Sequence, residues 1–150
     1  MTDPDTDASL RAILSRARTI AVVGLSPNGT RPSFRVAAFL KGRGYRIVPV
    51  NPGQAGGLLL GERVWPDLAS IPAGIGDIDM VDIFRRADQA GAVVDAALAA
   101  LGGRGLSTIW MQLGVVDEAA ATRARARGVE MVMDRCPAIE IPRLGLGPVG

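Results

Sequence analysis

Five short apolar stretches recur along this chain, at 19–23, 46–50, 79–83, 107–111 and 129–133, with helix-forming segments between most of them. This alternation constrains the fold more than any other feature. Thr19-Ile20-Ala21-Val22-Val23 ends at Gly24 and reads as a strand buried on both faces. Ahead of it, Leu10, Ile13, Leu14 and Ala17 share one face of a helix predicted over 8–18. Pro32 and Ser33 open a second helix, with Val36, Phe39 and Leu40 facing inward, and Gly42 and Gly44 close it. Residues 88–101 form a strongly amphipathic helix through Val93, Val94, Ala97, Leu98 and Leu101. Asp117 caps a last long helix running to Arg127, and Gly128 supplies a left-handed end.

Less regular segments fill the gaps. Gly53 to Gly61 is a glycine-rich excursion around Leu58-Leu59-Leu60. One helical turn is expected between Pro66 and Pro72, and a turn plus one further helical turn over 134–141. The pattern implies an α/β fold: a Rossmann-like doubly wound sheet of about five parallel strands, with helices on both faces and right-handed crossovers. A chain of 150 residues suits one domain. We expect that domain over 8–143, with a flexible polar tail at 1–7 and a loose end at 144–150.

Composition excludes several functions. The chain has no histidine, which removes Ser-His-Asp and Cys-His catalysis, histidine-ligated zinc and the usual general base near neutral pH. No metal site and no catalytic residue is therefore expected. Cys136 is the single cysteine, so no intrachain disulfide forms. The net charge is +2 and no basic run of five or more residues occurs, which argues against nucleic acid. No apolar run approaches the ~20 residues needed to span a bilayer. The acidic start, Met1-Thr2-Asp3-Pro4-Asp5, is not a secretory signal, so a cytoplasmic protein is expected.

In a doubly wound sheet, ligands bind outside the carboxyl ends of the strands. The loops after residues 24, 50, 83, 111 and 133 are thus the ones to inspect. The first, Gly24 to Ser33, offers side-chain donors at Ser26, Asn28, Thr30 and Ser33, a full charge at Arg31 and a helix N-terminus suited to phosphate. It has only Gly24 and Gly29, so it is not a GxGxxG fingerprint, and the second strand ends in Asn51-Pro52 where a dinucleotide site wants an acid. Both departures count against NAD. No Gly-Lys-Ser/Thr follows, so it is not a Walker A loop.

Further candidates sit on the other loops. Phe84-Arg85-Arg86 ends the third strand and suits an aromatic or pantetheine face beside a phosphate. Gln112 can donate and accept at a ligand, and Gly114 permits close backbone approach. Cys136 stands before a helix start that can lower a thiol pKa, although a small buried residue is the plainer reading.

Taken together these stretches resemble the small CoA-binding proteins whose domain also occurs at the N-terminus of the succinyl-CoA synthetase α subunit. The resemblance is carried by Val22-Val23-Gly24-Leu25-Ser26-Pro27-Asn28, Arg31-Pro32-Ser33, Gly44 to Pro52, Val81-Asp82-Ile83-Phe84-Arg85-Arg86, Trp110-Met111-Gln112-Leu113-Gly114-Val115 and Met133-Asp134-Arg135-Cys136-Pro137. It spans about residues 8–143. It implies coenzyme A, or an acyl-CoA, bound across the carboxyl edge of the sheet. Gly24, Leu25, Ser26, Arg31 and Ser33 would meet the phosphates, and Asn51 and Pro52 the adenosine. Phe84, Arg85, Gln112 and Gly114 would line the rest of the groove. The synthetase also needs a phosphorylated histidine and further domains, so ligase activity is not implied. A small-molecule ligand without catalysis is the leading expectation. The alternatives are a small oxidoreductase or transferase drawing on Asp82, Asp134 or Cys136, a subunit of a larger acyl-CoA enzyme, and a mixed disulfide between Cys136 and CoA. A protein partner is not indicated.

Overall fold

In the computed structural model, which describes residues 6–150, the strands of the main sheet are β1 (Thr19–Val23), β2 (Arg46–Val50), β5 (Met80–Ile83), β6 (Thr108–Met111) and β7 (Glu130–Val132). A two-stranded ribbon of β3 (Leu58–Leu59) and β4 (Glu62–Arg63) lies between β2 and β5 in the chain. The helices are α1 (Asp7–Arg16), α2 (Pro32–Gly42), α3 (Ala87–Leu101), α4 (Glu118–Ala126) and α5 (Pro137–Arg143). The main sheet has the order β2-β1-β5-β6-β7, and every neighbouring pair is parallel. The expected Rossmann-like α/β architecture is therefore the observed one.

The sheet separates two apolar layers. Ala21, Val48, Val81, Ile109 and Met131 face α3 and α4, whose Val94, Leu98, Ala120 and Ala124 close over them. Ile20, Val22, Met80, Trp110 and Val132 face the other way, toward Leu10, Ile13 and Leu14 of α1, Leu40 of α2 and Ile141 of α5. Strands covered on both faces need apolar residues at every position, which is why they read as runs rather than alternations.

The boundaries shift where caps decide them. The side chain of Thr6 accepts a hydrogen bond from Ser9 N, so α1 begins at Asp7, and Ala17 is already extended as the chain enters β1. Asp117 accepts from Ala120 N and Gly128 has φ +78, both as expected. The excursion at 53–61 carries β3 and the turn of the β3–β4 hairpin, which sequence did not announce. Its two-residue loop, Leu60-Gly61, has both φ positive, at +52 and +78, a turn usually marked by Asn-Gly. This ribbon and Trp65, whose N–H donates to Pro49 O, cover the outer side of β2. Pro49 is tolerated there because β2 is an edge strand of the main sheet.

Near its ends the described chain is tied to the rest of the fold. The expected tail over 1–7 lies outside the described residues except for Thr6 and Asp7. Asp7 pairs with Arg143 at 2.9 Å, and Arg143 and Arg135 both hold the buried Glu140. The end of the chain, expected to be loose, is docked: Val149 N donates to Arg43 O at 2.8 Å, and the Arg43 guanidinium donates to Leu146 O. Gly44 makes this docking fit. It has φ +102, and a methyl there would lie 2.1 Å from the Val149 carbonyl oxygen. Gly44→Ala is expected to cost about 1–3 kcal/mol in urea unfolding, and to raise the exchange rate of the Val149 amide.

Candidate functional site

The chain leaves β1, turns one way to β2, and later crosses to β5 on the other side of β1. That reversal is a topological switch point, where a crevice opens between the two carboxyl ends. A cavity of about 830 Å³ occupies it, lined among others by Ser26, Arg31, Ser33, Arg85, Gln112 and Cys136. Its size falls within the range of small-molecule sites.

The first loop is held open by its own hydrogen bonds. Ser26 N donates to Ser33 Oγ at 3.0 Å, and Asn28 N donates to Ser26 Oγ at 3.1 Å. Thr30 donates to Asn28 Oδ1 through both its N–H and its hydroxyl. Asn28 and Thr30 thus serve the turn. The Ser26 and Ser33 hydroxyl protons have no acceptor among the described residues, so both remain free to donate into the cavity. Behind them α2 starts at Pro32 with no side-chain cap, leaving N–H groups of its first turn for a ligand.

Gly24 lines the cavity and is also fixed by a backbone neighbour. Its φ is +88, and a methyl there would fall 2.3 Å from the Phe84 carbonyl oxygen. The backbone that approaches Gly24 so closely is therefore the loop after β5. Phe84 N also donates to Val23 O, and Gly24 N to Val50 O, so three strand ends are stitched together under the cavity.

The remaining candidates divide into lining and support. Phe84, Arg85, Arg86 and Gln112 line the cavity with Gly24, Ser26, Arg31 and Ser33. Leu25 does not: its side chain is fully buried, and its carbonyl accepts from Asn51 Nδ2 at 2.9 Å. Asn51 also accepts from Gly53 N, so its amide braces the first loop rather than facing the cavity. Pro52 is exposed at the start of a single 3-10 turn. Gly114 is needed for its backbone, with φ +79, and its N–H donates to Asp134 Oδ1 at 2.7 Å. Sequence reasoning left Pro32, Val36, Leu113 and Val115 out of the lining. Leu113 and Val115 flank Gly114 on the loop already suspected, which was the available signal.

The electrostatics are lopsided. Arg31 and Arg85 have no acid partner among the described residues, and Arg86 reaches only Asp88, at 3.4 Å between two exposed side chains. On the opposite side Cys136 is buried, and burial pushes its thiol up, so the lowered pKa that its place before α5 invited does not arise. Beneath the cavity lies Asp82, the one charged residue on β5, fully buried between Val22 of β1 and Trp110 of β6. Gln112 Nε2 donates to its Oδ1 at 2.8 Å, while its Oδ2 has no partner among the described residues. Burial pushes this carboxyl up to about 7, against the pull of the Gln112 bond.

A parallel doubly wound sheet with a cavity at its switch point defines a Rossmann-like ligand-binding domain. The chain belongs to the CoA binding domain family, whose model matches residues 18–142. It is 35% identical over 131 residues to the uncharacterized protein YneT of Bacillus subtilis, covering 86% of this chain and 89% of that one. Among solved structures, a Thermus thermophilus protein, cell-free ID.343, superposes with a TM-score of 0.83 at 32% identity, over 93% of this chain and 98% of its own. A hypothetical protein from Pyrococcus horikoshii does so with a TM-score of 0.82 at 31%, over 96% and 97%. The fold also recurs within a much larger chain, a dinucleotide-forming acetyl-coenzyme A synthetase of Ca. Korarchaeum cryptofilum. There the identity is 21%, the TM-score is 0.61, and the match covers 81% of this chain but 27% of that one.

The raised pKa of Asp82 makes a prediction. The unfolded chain loses this proton near 3.8 and the folded chain near 7, so folding is penalised increasingly as pH rises through that window. Asp82→Asn should therefore raise the thermal midpoint clearly at pH 8 and hardly at all at pH 4, as followed by circular dichroism.

Proposed function

We propose that this chain binds coenzyme A or an acyl-CoA across the carboxyl edge of its sheet and performs no chemistry on it alone. The observation that carries this reading is the cavity at the switch point, lined by Arg31 and Arg85, which have no acid partner among the described residues. An anion completes such a site. Arg31, the Ser26 and Ser33 hydroxyls and the start of α2 suit a diphosphate, and Arg85 and Arg86 add positive charge from the other side of the cavity.

The sheet order favours an elongated ligand. From β2 to β7 the strand ends span about 19 Å at the usual strand spacing. A nucleotide seated toward β2 and β1 leaves β6 and β7 for the pantetheine arm, where Gln112, Leu113, Val115 and Cys136 line the cavity. Family membership supports the same class of ligand. The lack of histidine and of any exposed acid in the cavity lining supports a binding rather than a catalytic role. We infer a protein that meets its ligand in the cytoplasm, with no part for nucleic acid or membrane. Among the described residues no helix is long and apolar enough to cross a bilayer.

Titration calorimetry tests the reading. CoA should bind at sub-millimolar concentration and NAD should not. Arg31→Ala and Arg85→Ala should each weaken CoA by about tenfold or more. Raising salt should weaken the unaltered chain more than either variant. No heat with CoA at sub-millimolar concentration overturns the proposal.

A further inference from the structure

A fully buried carboxylate with one orphaned oxygen, in the middle of an apolar layer, calls for an explanation. Asp82 sits on β5 with Val22 and Trp110 as its register partners, and both of those belong to the apolar layer under α1, α2 and α5. Trp110 is itself occupied, its indole N–H donating to Arg135 O at 2.8 Å. Among the described residues the one polar group that reaches the Asp82 carboxylate is the Gln112 amide, which lies two residues beyond Trp110 and lines the cavity. Gln112 thus connects the buried acid to the ligand space.

The connection has a direction. With Nε2 turned down onto Asp82 Oδ1, the atom left for the cavity is Gln112 Oε1, and nothing among the described residues donates to it. An oxygen facing the cavity asks for a donor. We propose that Asp82 is a positioning residue for ligand recognition: it holds the Gln112 amide so that its oxygen enters the cavity, and thereby selects a ligand bearing an N–H or S–H at that end. This rests on the CoA reading above, in which the pantetheine arm, with its amide N–H groups and terminal thiol, lies at β6.

The same geometry makes the selection depend on a proton. An ionised Asp82 accepts only, so the amide keeps its nitrogen inward. A protonated Asp82 can donate to Oε1 of the reversed amide, which then turns its NH₂ toward the ligand. Of the titratable groups nearby, Cys136 at the foot of α5 feels the charge of Asp82. Glu140, one turn further along, is neutralised by Arg135 and Arg143. The elements flanking Asp82 in the sheet present Val22 and Trp110, so no cation compensates it there.

The test compares two probes by calorimetry between pH 6 and pH 8: CoA, and adenosine 3′,5′-bisphosphate, which carries the nucleotide end without the pantetheine arm. In the unaltered chain the ratio of CoA affinity to bisphosphate affinity should rise about threefold to tenfold with pH, the worth of one neutral hydrogen bond. Asp82→Asn keeps an acceptor for Gln112 Nε2 but cannot titrate, so its ratio should follow only the ionisation of the bisphosphate's own 5′-phosphate and lack this rise. Asp82→Leu should lower the ratio and leave bisphosphate binding unchanged. A pH profile in Asp82→Asn that matches the unaltered chain, or an equal loss of both probes in Asp82→Leu, overturns the proposal while leaving the CoA reading standing. Failure of both probes to bind the unaltered chain overturns the CoA reading and this proposal with it.

Discussion

The contact on which the site depends is between two backbones. At Gly24 the end of β1 meets the carbonyl of Phe84 at the end of β5, with no space for even a methyl group between them. Hydrogen bonds from Phe84 N to Val23 O and from Gly24 N to Val50 O tie the same strand ends. Because the loops diverge from this junction, one toward α2 and the other toward α3, a crevice opens above it. The cavity follows from topology. Its chemistry comes from what the diverging loops carry: Ser26, Arg31 and Ser33 on one side, Arg85 and Arg86 on the other.

Two kinds of polar burial coexist in the layer under α1, α2 and α5. Glu140 is buried but held by Arg135 and Arg143, and these bonds outweigh its burial and keep its carboxyl below the ordinary range. It fastens α5 in place, and through Arg143 and Asp7 it reaches the start of α1. Asp82 is buried with a single amide for company and its carboxyl is pushed up instead. A paired acid of the first kind is structural cement. An acid of the second kind destabilises the fold wherever it is ionised, and it lies against a residue of the cavity wall. That contrast is what sets Asp82 apart from Glu140.

Much of this was legible in sequence because the signals were local. Five apolar runs, the caps at Asp117 and Gly128, and Pro32 at the head of α2 each act over a few residues and announce the sheet directly. The β3–β4 hairpin was hidden because Leu60 takes a left-handed conformation that its side chain does not advertise. The docking of 144–150 was hidden because it rests on Arg43 and Gly44, a hundred residues away. In the site, the arginines and serines that the sequence singles out line the cavity. Asn51 and Gly114 were legible only as polar or flexible, and the structure gives their bonds to the loop backbones and to Asp134 instead. Leu25 was carried along by its neighbours in the motif, while its side chain packs into the core.

If an elongated, multiply anionic ligand lies across the carboxyl edge from the first loop toward β6, as proposed, a crystal structure of the chain grown with CoA will show it. Diphosphate density is expected against Ser26, Arg31 and Ser33, with the pantetheine arm passing Arg85 and reaching Gln112. Density for CoA elsewhere on the surface, or with its thiol end at the start of α2, overturns this placement.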